Sequence, residues 1–332
     1  CVSCLVADLG VICAVSKKTS PPFPAGLSPS VQIAHNWNPR SPNVAQQTDA
    51  LRPFRDAPAM DFVTTADGTR LYLKDWGQGR PVILIHGWPL SADSWDDQAM
   101  ALADAGHRVI AYDRRGFGRS SQPWSGYDYD TLADDLATVI ARTGVQDAAL
   151  VGFSMGGGEV ARYMSRHAGK SVAKAILVSS VLPYRLKTRD NPAGTEQAAF
   201  DKSADAIRSD RARFFTGFFK TFFGVGTSPN PVSEEVLDWA RGIAMQASLK
   251  ATLACARSFS NTDFRGDLPA FNVPTLIVHG TEDKTVPIDA SSRAAAKGIA
   301  GCTLVEYEGA PHGLFATHKD RLNTDLAEFL AR

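Results

Sequence analysis

Five short apolar runs, Pro81–Ile85, Val109–Tyr112, Ala148–Val151, Ala175–Val178 and Val273–Val278, alternate along the chain with segments of helical spacing. Such runs have no polar face, as expected of strands buried on both sides of a sheet. Between and after them, Ser91–Ala105 opens with a capping-type serine, and Thr131–Thr143, a stretch ending near His167, Ile288–Ile299 and a closing stretch to Arg332 all read as helices. A hairpin is expected at Phe62–Thr64 and Leu71–Leu73 around Asp67-Gly68, and a last strand at Thr303–Tyr307. The pattern predicts an α/β fold with a mostly parallel central sheet covered by helices on both faces. Sheets of this kind bind ligands at the carboxyl ends of their strands. The loops that follow the apolar runs are therefore where chemistry is expected.

The alternation breaks near Tyr184 and resumes at Val273. A helical cap over residues 184–272 is expected, inserted late in the sheet between a first core part, 60–183, and a second, 273–332. Its centre, Arg213–Phe223, carries phenylalanine pairs every four residues, which makes one strongly apolar helix face. That face docks on the core, and Phe215 and Phe219 are expected also to roof an apolar pocket. Residues 1–59 are rich in Pro, Ser, Asn and Gln and lack sustained periodicity. They read as a disordered or non-native extension upstream of Met60. A secretory signal is the competing reading for apolar Cys1–Val15, which is interrupted by Asp8 and has no basic leader.

Across 332 residues, 35 Lys and Arg balance 35 Asp and Glu, so there is no basic footprint for nucleic acid. No run reaches the roughly 18 uninterrupted apolar residues of a membrane span. Of five cysteines, Cys255 and Cys302 lie far apart in the body without C-x-x-C spacing, which favours free thiols and a cytoplasmic, reducing compartment. A homo-oligomer is compatible with these features.

The most chemically loaded stretch is Gly152-Phe153-Ser154-Met155-Gly156-Gly157-Gly158-Glu159-Val160, which fits two motifs in overlapping frames. Gly156-x-Gly158-x-x-Ala161 matches a dinucleotide-binding fingerprint, and Gly152-x-Ser154-x-Gly156 matches the turn that presents a nucleophilic serine. The first needs a carboxylate about 20 residues on for the ribose, and no Asp or Glu occurs between Glu159 and Asp190. The G-x-x-x-x-G-K-[ST] form fails as well, because Gly158 stands where its lysine would be. The serine reading is left, provided its partners exist.

A nucleophilic serine on such a sheet is followed in the chain by an acid and then a histidine. Val278-His279-Gly280-Thr281-Glu282-Asp283 offers two neighbouring acids just past a late strand. Asp283 is preferred for its shorter side chain beside the Thr285-Val286-Pro287 turn, with Glu282 as the alternative. His312, in Gly309-Ala310-Pro311-His312-Gly313, has small neighbours that leave room for a loop-borne imidazole. His318, His167, His107 and His35 have plainer positions, and His86 and His279 end strands, where they would bond the loops they begin. An oxyanion hole needs two preorganised N–H donors. Met155 follows the nucleophile, and Trp88 lies in the loop His86-Gly87-Trp88-Pro89, where Pro89 has no N–H to give. The expected chemistry is attack by Ser154 on an acyl carbonyl, with His312 as base, Asp283 fixing its tautomer, and the amides of Trp88 and Met155 holding the oxyanion. Trp88, Pro89, Phe153, Phe215 and Phe219 are the expected pocket residues.

Residues 60–332 resemble the α/β-hydrolases of the cofactor-free haloperoxidase group, which is close to arylesterases and perhydrolases. The resemblance rests on Ile85-His86-Gly87-Trp88-Pro89-Leu90, on Tyr112–Ser121 continuing to Tyr129, on Val151–Tyr163, and on Glu308–Leu314. It implies an α/β-hydrolase fold without metal or haem, and an esterase that can also let hydrogen peroxide attack the acyl-enzyme to give a peracid. It also implies that a proline at position 89 favours perhydrolysis. Haloalkane dehalogenases and epoxide hydrolases of this fold use aspartate where this chain has Ser154. A lactonase, a carbon–carbon bond hydrolase or an acyltransferase would keep the same triad, and a small-molecule receptor that retains one is the competing non-enzymatic reading.

Overall fold

The computed structural model describes residues 62–226 and 231–332. The expectation for residues 1–59 lies outside that range. The chain runs β1 (Phe62–Thr64), β2 (Arg70–Gly77), β3 (Arg80–Ile85), α1 (Asp96–Asp104), β4 (His107–Tyr112), α2 (Tyr129–Thr143), β5 (Ala148–Phe153), α3 (Met155–Arg166) and β6 (Val172–Val178). Three helices follow, α4 (Gln197–Phe222), α5 (Glu234–Gln246) and α6 (Leu249–Asn261), then β7 (Thr275–Gly280), α7 (Ser292–Ala296), β8 (Thr303–Tyr307), α8 (Leu314–Thr317) and α9 (Lys319–Ala331).

Among the described residues the strands form one sheet in the order β1-β2-β4-β3-β5-β6-β7-β8. The β1–β2 and β2–β4 pairs are antiparallel, and every later pair is parallel. The apolar runs are buried as their composition requires: Val82–Ile85, Ala148–Phe153 and Thr275–Gly280 are buried throughout. Register does the work of placing the site. Ile85 pairs with both Tyr112 and Gly152, Phe153 with Val178, Val178 with Val278, and Gly280 with Tyr307. The carboxyl ends of six strands therefore finish level, and the loops after them share one edge.

Helix starts follow their capping residues. Asp128 accepts from Thr131 N–H at 2.9 Å to open α2, and Ser248 accepts from Ala251 N–H at 2.9 Å to open α6. Gly144, at φ 65°, ends α2 in the left-handed conformation that suits glycine. Three helices depart from expectation. The segment from Ser91 begins as a 3-10 turn, Ala92–Trp95, before α1. Ile288–Ile299 splits into a 3-10 turn, Ile288–Ala290, and the short α7, because Ser291 turns its hydroxyl back to Pro287 O at 2.7 Å. The closing helix breaks at His318 into α8 and α9. Within α4, Asp210 leaves helical geometry (φ −156°, ψ 88°) and accepts from Arg213 N–H at 2.9 Å, so it caps the phenylalanine-rich half as a helix of its own.

Helices α4–α6 stand between β6 and β7, where the alternation lapses in the sequence. A bridge between Tyr184 and Asp263 ties the two ends of this excursion together. Among the described residues, no helix is long and apolar enough to cross a membrane.

Candidate active site

Ser154 sits where β5 gives way to α3, at φ 53° and ψ −114°. A non-glycine residue at positive φ is strained, and the surroundings hold it there. Its N–H donates to Val178 O at 2.8 Å, while its carbonyl accepts from Gly157 N–H at 3.1 Å and Val181 N–H at 3.2 Å. The glycines two residues either side are required by space. A Cβ on Gly152 would stand 2.6 Å from Gly156 O, and one on Gly156 would stand 2.4 Å from Ile85 O. Gly87 plays the same part in the neighbouring loop, where a Cβ would come within 2.5 Å of the Phe153 ring and 3.1 Å of Ser154 Cβ. The backbone that carries Trp88 thus runs directly against the nucleophile turn.

The loops after β7 and β8 deliver the partners. His312 Nε2 lies 3.0 Å from Ser154 Oγ, and His312 Nδ1 lies 2.5 Å from Asp283 Oδ2. A carboxylate only accepts, so Nδ1 carries the proton and Nε2 is left with its lone pair facing the serine hydroxyl. Asp283 Oδ1 accepts from the N–H groups of Thr285 at 2.9 Å and Val286 at 2.7 Å. Burial opposes the charge on Asp283, yet the facing His312 and the hydrogen bonds from His279 and His312 hold the carboxyl well below the usual range. His312 is itself pushed down by burial, against the pull of Asp283, so it is neutral at neutral pH and fit to act as a base. Glu282 stays on the loop surface.

His279 was expected to serve only its own loop, and it does more. Its Nε2 lies 2.8 Å from Val286 O and 3.1 Å from Asp283 Oδ2, and its Nδ1 lies 2.6 Å from Ser292 Oγ. The carbonyl fixes the proton on Nε2, so His279 donates toward the same carboxylate as His312. His86 is a loop residue as expected, with Nε2 accepting from Arg114 N–H at 3.0 Å.

Arg114 is a structural residue that motif reading missed. Its guanidinium reaches Glu159 on α3 at 2.8 Å and 3.0 Å and donates to His86 O at 2.7 Å, with both charges fully buried. It therefore ties the loop that carries Trp88 to the helix that begins at Met155.

Ser154, His312 and Trp88 open into a cavity of about 890 Å³, walled on one side by Phe214 and Phe218. The expected ring pair is displaced by one position. Phe215 and Phe219 are fully buried and take no part in the lining: Phe215 packs on Trp88 at 5.7 Å between centroids, and Phe219 packs on Phe222 at 5.6 Å. Residues 215 and 219 form one stripe of the helix and 214 and 218 the next. The core claims the first and leaves the second to the cavity. Phe153 is also withdrawn from the lining. It packs against the His312 ring at 5.0 Å, and Phe222 covers another side of that imidazole at 4.8 Å. Pro89 is buried and likewise off the wall. Trp88 is on the wall as expected, with its indole N–H donating to Thr252 O at 3.0 Å.

A serine, a neutral imidazole and a buried carboxylate in hydrogen-bonded series, at the carboxyl edge of a parallel sheet, define a serine hydrolase. The sequence matches the alpha/beta hydrolase fold family over residues 80–319. It is 42% identical to non-heme chloroperoxidase CPO-A1 of Kitasatospora aureofaciens, over 82% of this chain and 99% of that protein. It is equally 42% identical to the bifunctional esterase/perhydrolase DCH of Acinetobacter calcoaceticus, with the same coverage. The crystal structure of bromoperoxidase from Bacillus anthracis superimposes with a TM-score of 0.78 at 46% identity, covering 80% of this chain and 96% of that one. The chain belongs to the α/β-hydrolase family, in its non-heme haloperoxidase group.

Proposed function

We propose that this protein is an esterase that cleaves small carboxylic esters through an acyl-enzyme on Ser154, and that it also performs perhydrolysis. The observation that carries the reading is the 3.0 Å approach of His312 Nε2 to Ser154 Oγ at the wall of a cavity large enough for such an ester. His312 takes the serine proton as Oγ attacks the carbonyl carbon, a contribution of roughly 10²–10⁴ in rate. Asp283 stabilises the imidazolium that forms. The oxyanion is held by the amides of Trp88 and Met155, each worth roughly 10²–10³. His312 then protonates the departing alkoxide, leaving the acyl group on Oγ.

In the second half, His312 removes a proton from water or from hydrogen peroxide. The oxygen nucleophile displaces Ser154 Oγ, which regains its proton, and the product is a carboxylic acid or a peracid. A peracid released near halide oxidises it to hypohalous acid and is itself reduced to the carboxylic acid, without further help from the protein. The relatives named as chloroperoxidase and esterase/perhydrolase support this pair of outcomes. Residues 184–272 serve as the cap that shapes the acyl site, and the compartment is cytoplasmic. A panel of p-nitrophenyl and methyl esters, assayed with and without hydrogen peroxide, tests the reading. Hydrolysis and peracid formation are both expected in the wild type, and Ser154→Ala is expected to lose both by about 10⁴-fold or more. An unchanged Ser154→Ala rate would overturn it.

A further inference from the structure

Arg185 enters the cavity wall from the segment between β6 and α4. One Nη donates to Thr285 O at 2.9 Å, while Nε is shielded from solvent and has no hydrogen-bond partner. The buried arginines near the site are compensated: Arg114 by Glu159 at 2.8 Å and Arg115 by Asp135 at 2.6 Å. Among the described residues no carboxylate pairs with Arg185. Asp283 is nearby, but its oxygens are already taken by His312, His279 and the amides of Thr285 and Val286. The other acids along the cavity, Asp201 and Asp205, are exposed on α4 and engaged with Gln197 and Arg208. Burial draws Arg185 down to about 10, which leaves it cationic at neutral pH.

A half-buried guanidinium with no carboxylate partner is poorly compensated unless an anion joins it. Here the cation shares its cavity with the nucleophile and has a donor facing no acceptor. We propose that Arg185 is an anion subsite, and that the substrates are esters whose acyl chain ends in a carboxylate, such as half-esters of short dicarboxylic acids. The carboxylate pairs with the guanidinium through its cavity-facing nitrogens, while the ester carbonyl at the other end of the chain reaches Ser154. This rests on the esterase reading and narrows it to a substrate class.

The test compares mono-4-nitrophenyl glutarate with its neutral isostere, 4-nitrophenyl 5-methylhexanoate. Spontaneous release is subtracted with Ser154→Ala. Wild type is expected to favour the glutarate ester by tenfold or more in kcat/KM, carried by KM. In Arg185→Met the ratio between the two esters is expected to fall by tenfold or more, because a site built for a polar group rejects its absence strongly. If both esters are cleaved with the same ratio in wild type and variant, Arg185 merely props the Thr285 loop and the proposal is wrong, though the esterase reading stands. If wild type cleaves neither, both fall. Should Arg185→Met fail to fold, wild type alone decides. N-methylglutaramate should inhibit neutral-ester turnover at a concentration at least tenfold lower than N,N′-dimethylglutaramide, and equal inhibition overturns the proposal.

Discussion

His279 stands 3.1 Å from Asp283, on the same carboxylate oxygen that His312 reaches at 2.5 Å. One oxygen thus receives two imidazole donors, and the other receives two backbone amides. The carboxylate cannot rotate without losing all four contacts, and its charge is held in place to meet the imidazolium. Replacing His279 by Gln is expected to lower kcat for p-nitrophenyl acetate by about tenfold, the size of one lost hydrogen bond to a charged group. KM should stay unchanged, because His279 is not on the cavity wall. Active-site titration distinguishes this from a loss of folding, which would lower the number of active molecules and likewise leave KM unchanged.

The acid limb of the pH profile follows from His312. The proposed reaction needs its neutral form, and burial pushes its pKa below the ordinary imidazole value. Activity is therefore full above that depressed pKa and lost as pH falls through it. The midpoint of kcat/KM should lie below about pH 6.5. A midpoint at or above that value would contradict the burial of the imidazole between Phe153 and Phe222.

Gly156→Ala places a Cβ 2.4 Å from Ile85 O, backbone against backbone, with no flexible side chain to yield. The helix has to retreat from the sheet, and the Met155 amide moves with it. Thermal or denaturant unfolding should show a loss of about 1–3 kcal/mol. The folded fraction should also turn over more slowly, as active-site titration would reveal.

Pro89 fixes the backbone beside Trp88 and withholds an N–H from the loop. If that geometry favours peroxide over water as the second nucleophile, Pro89→Leu should lower the ratio of peracid formed to ester hydrolysed. A ratio equal to wild type, measured by trapping the peracid with halide, would remove Pro89 from the explanation.

How far the sequence could be read varies by element for physical reasons. The central strands were legible because a strand buried on both faces must be apolar without interruption, as Val82–Ile85 and Ala148–Phe153 are. Ser154, Asp283 and His312 were legible because each lies in a short motif at a strand end, and the strand ends align by register. Helix interruptions were harder: Asp210 and Ser291 break their helices through local side-chain bonds that compete with the backbone pattern. The cavity wall was read one residue out, because Phe214/Phe218 and Phe215/Phe219 are adjacent stripes. Trp88 meets a ring of each stripe, Phe215 at 5.7 Å and Phe218 at 5.4 Å, and only packing in the fold leaves the second stripe half-buried on the cavity. Arg185 gave no signal at all, since a basic residue in a loop is ordinarily solvated.

The Arg114–Glu159 pair has a consequence for how this enzyme can change. Arg114 grips the loop of Trp88 through His86 and the helix of Met155 through Glu159, so it gauges the gap between the two proposed oxyanion amides while touching neither. That gauge is built from the loop after β4, α3 and the loop after β3, all outside the helices that wall the cavity. Phe218, whose ring meets Trp88 at 5.4 Å, stays coupled to the proposed clamp, so Phe214 and Arg185 are the positions where substitution is expected to retune what is accepted without loosening it. At those two positions new preferences can arise while one hidden ion pair keeps the proposed oxyanion amides in place.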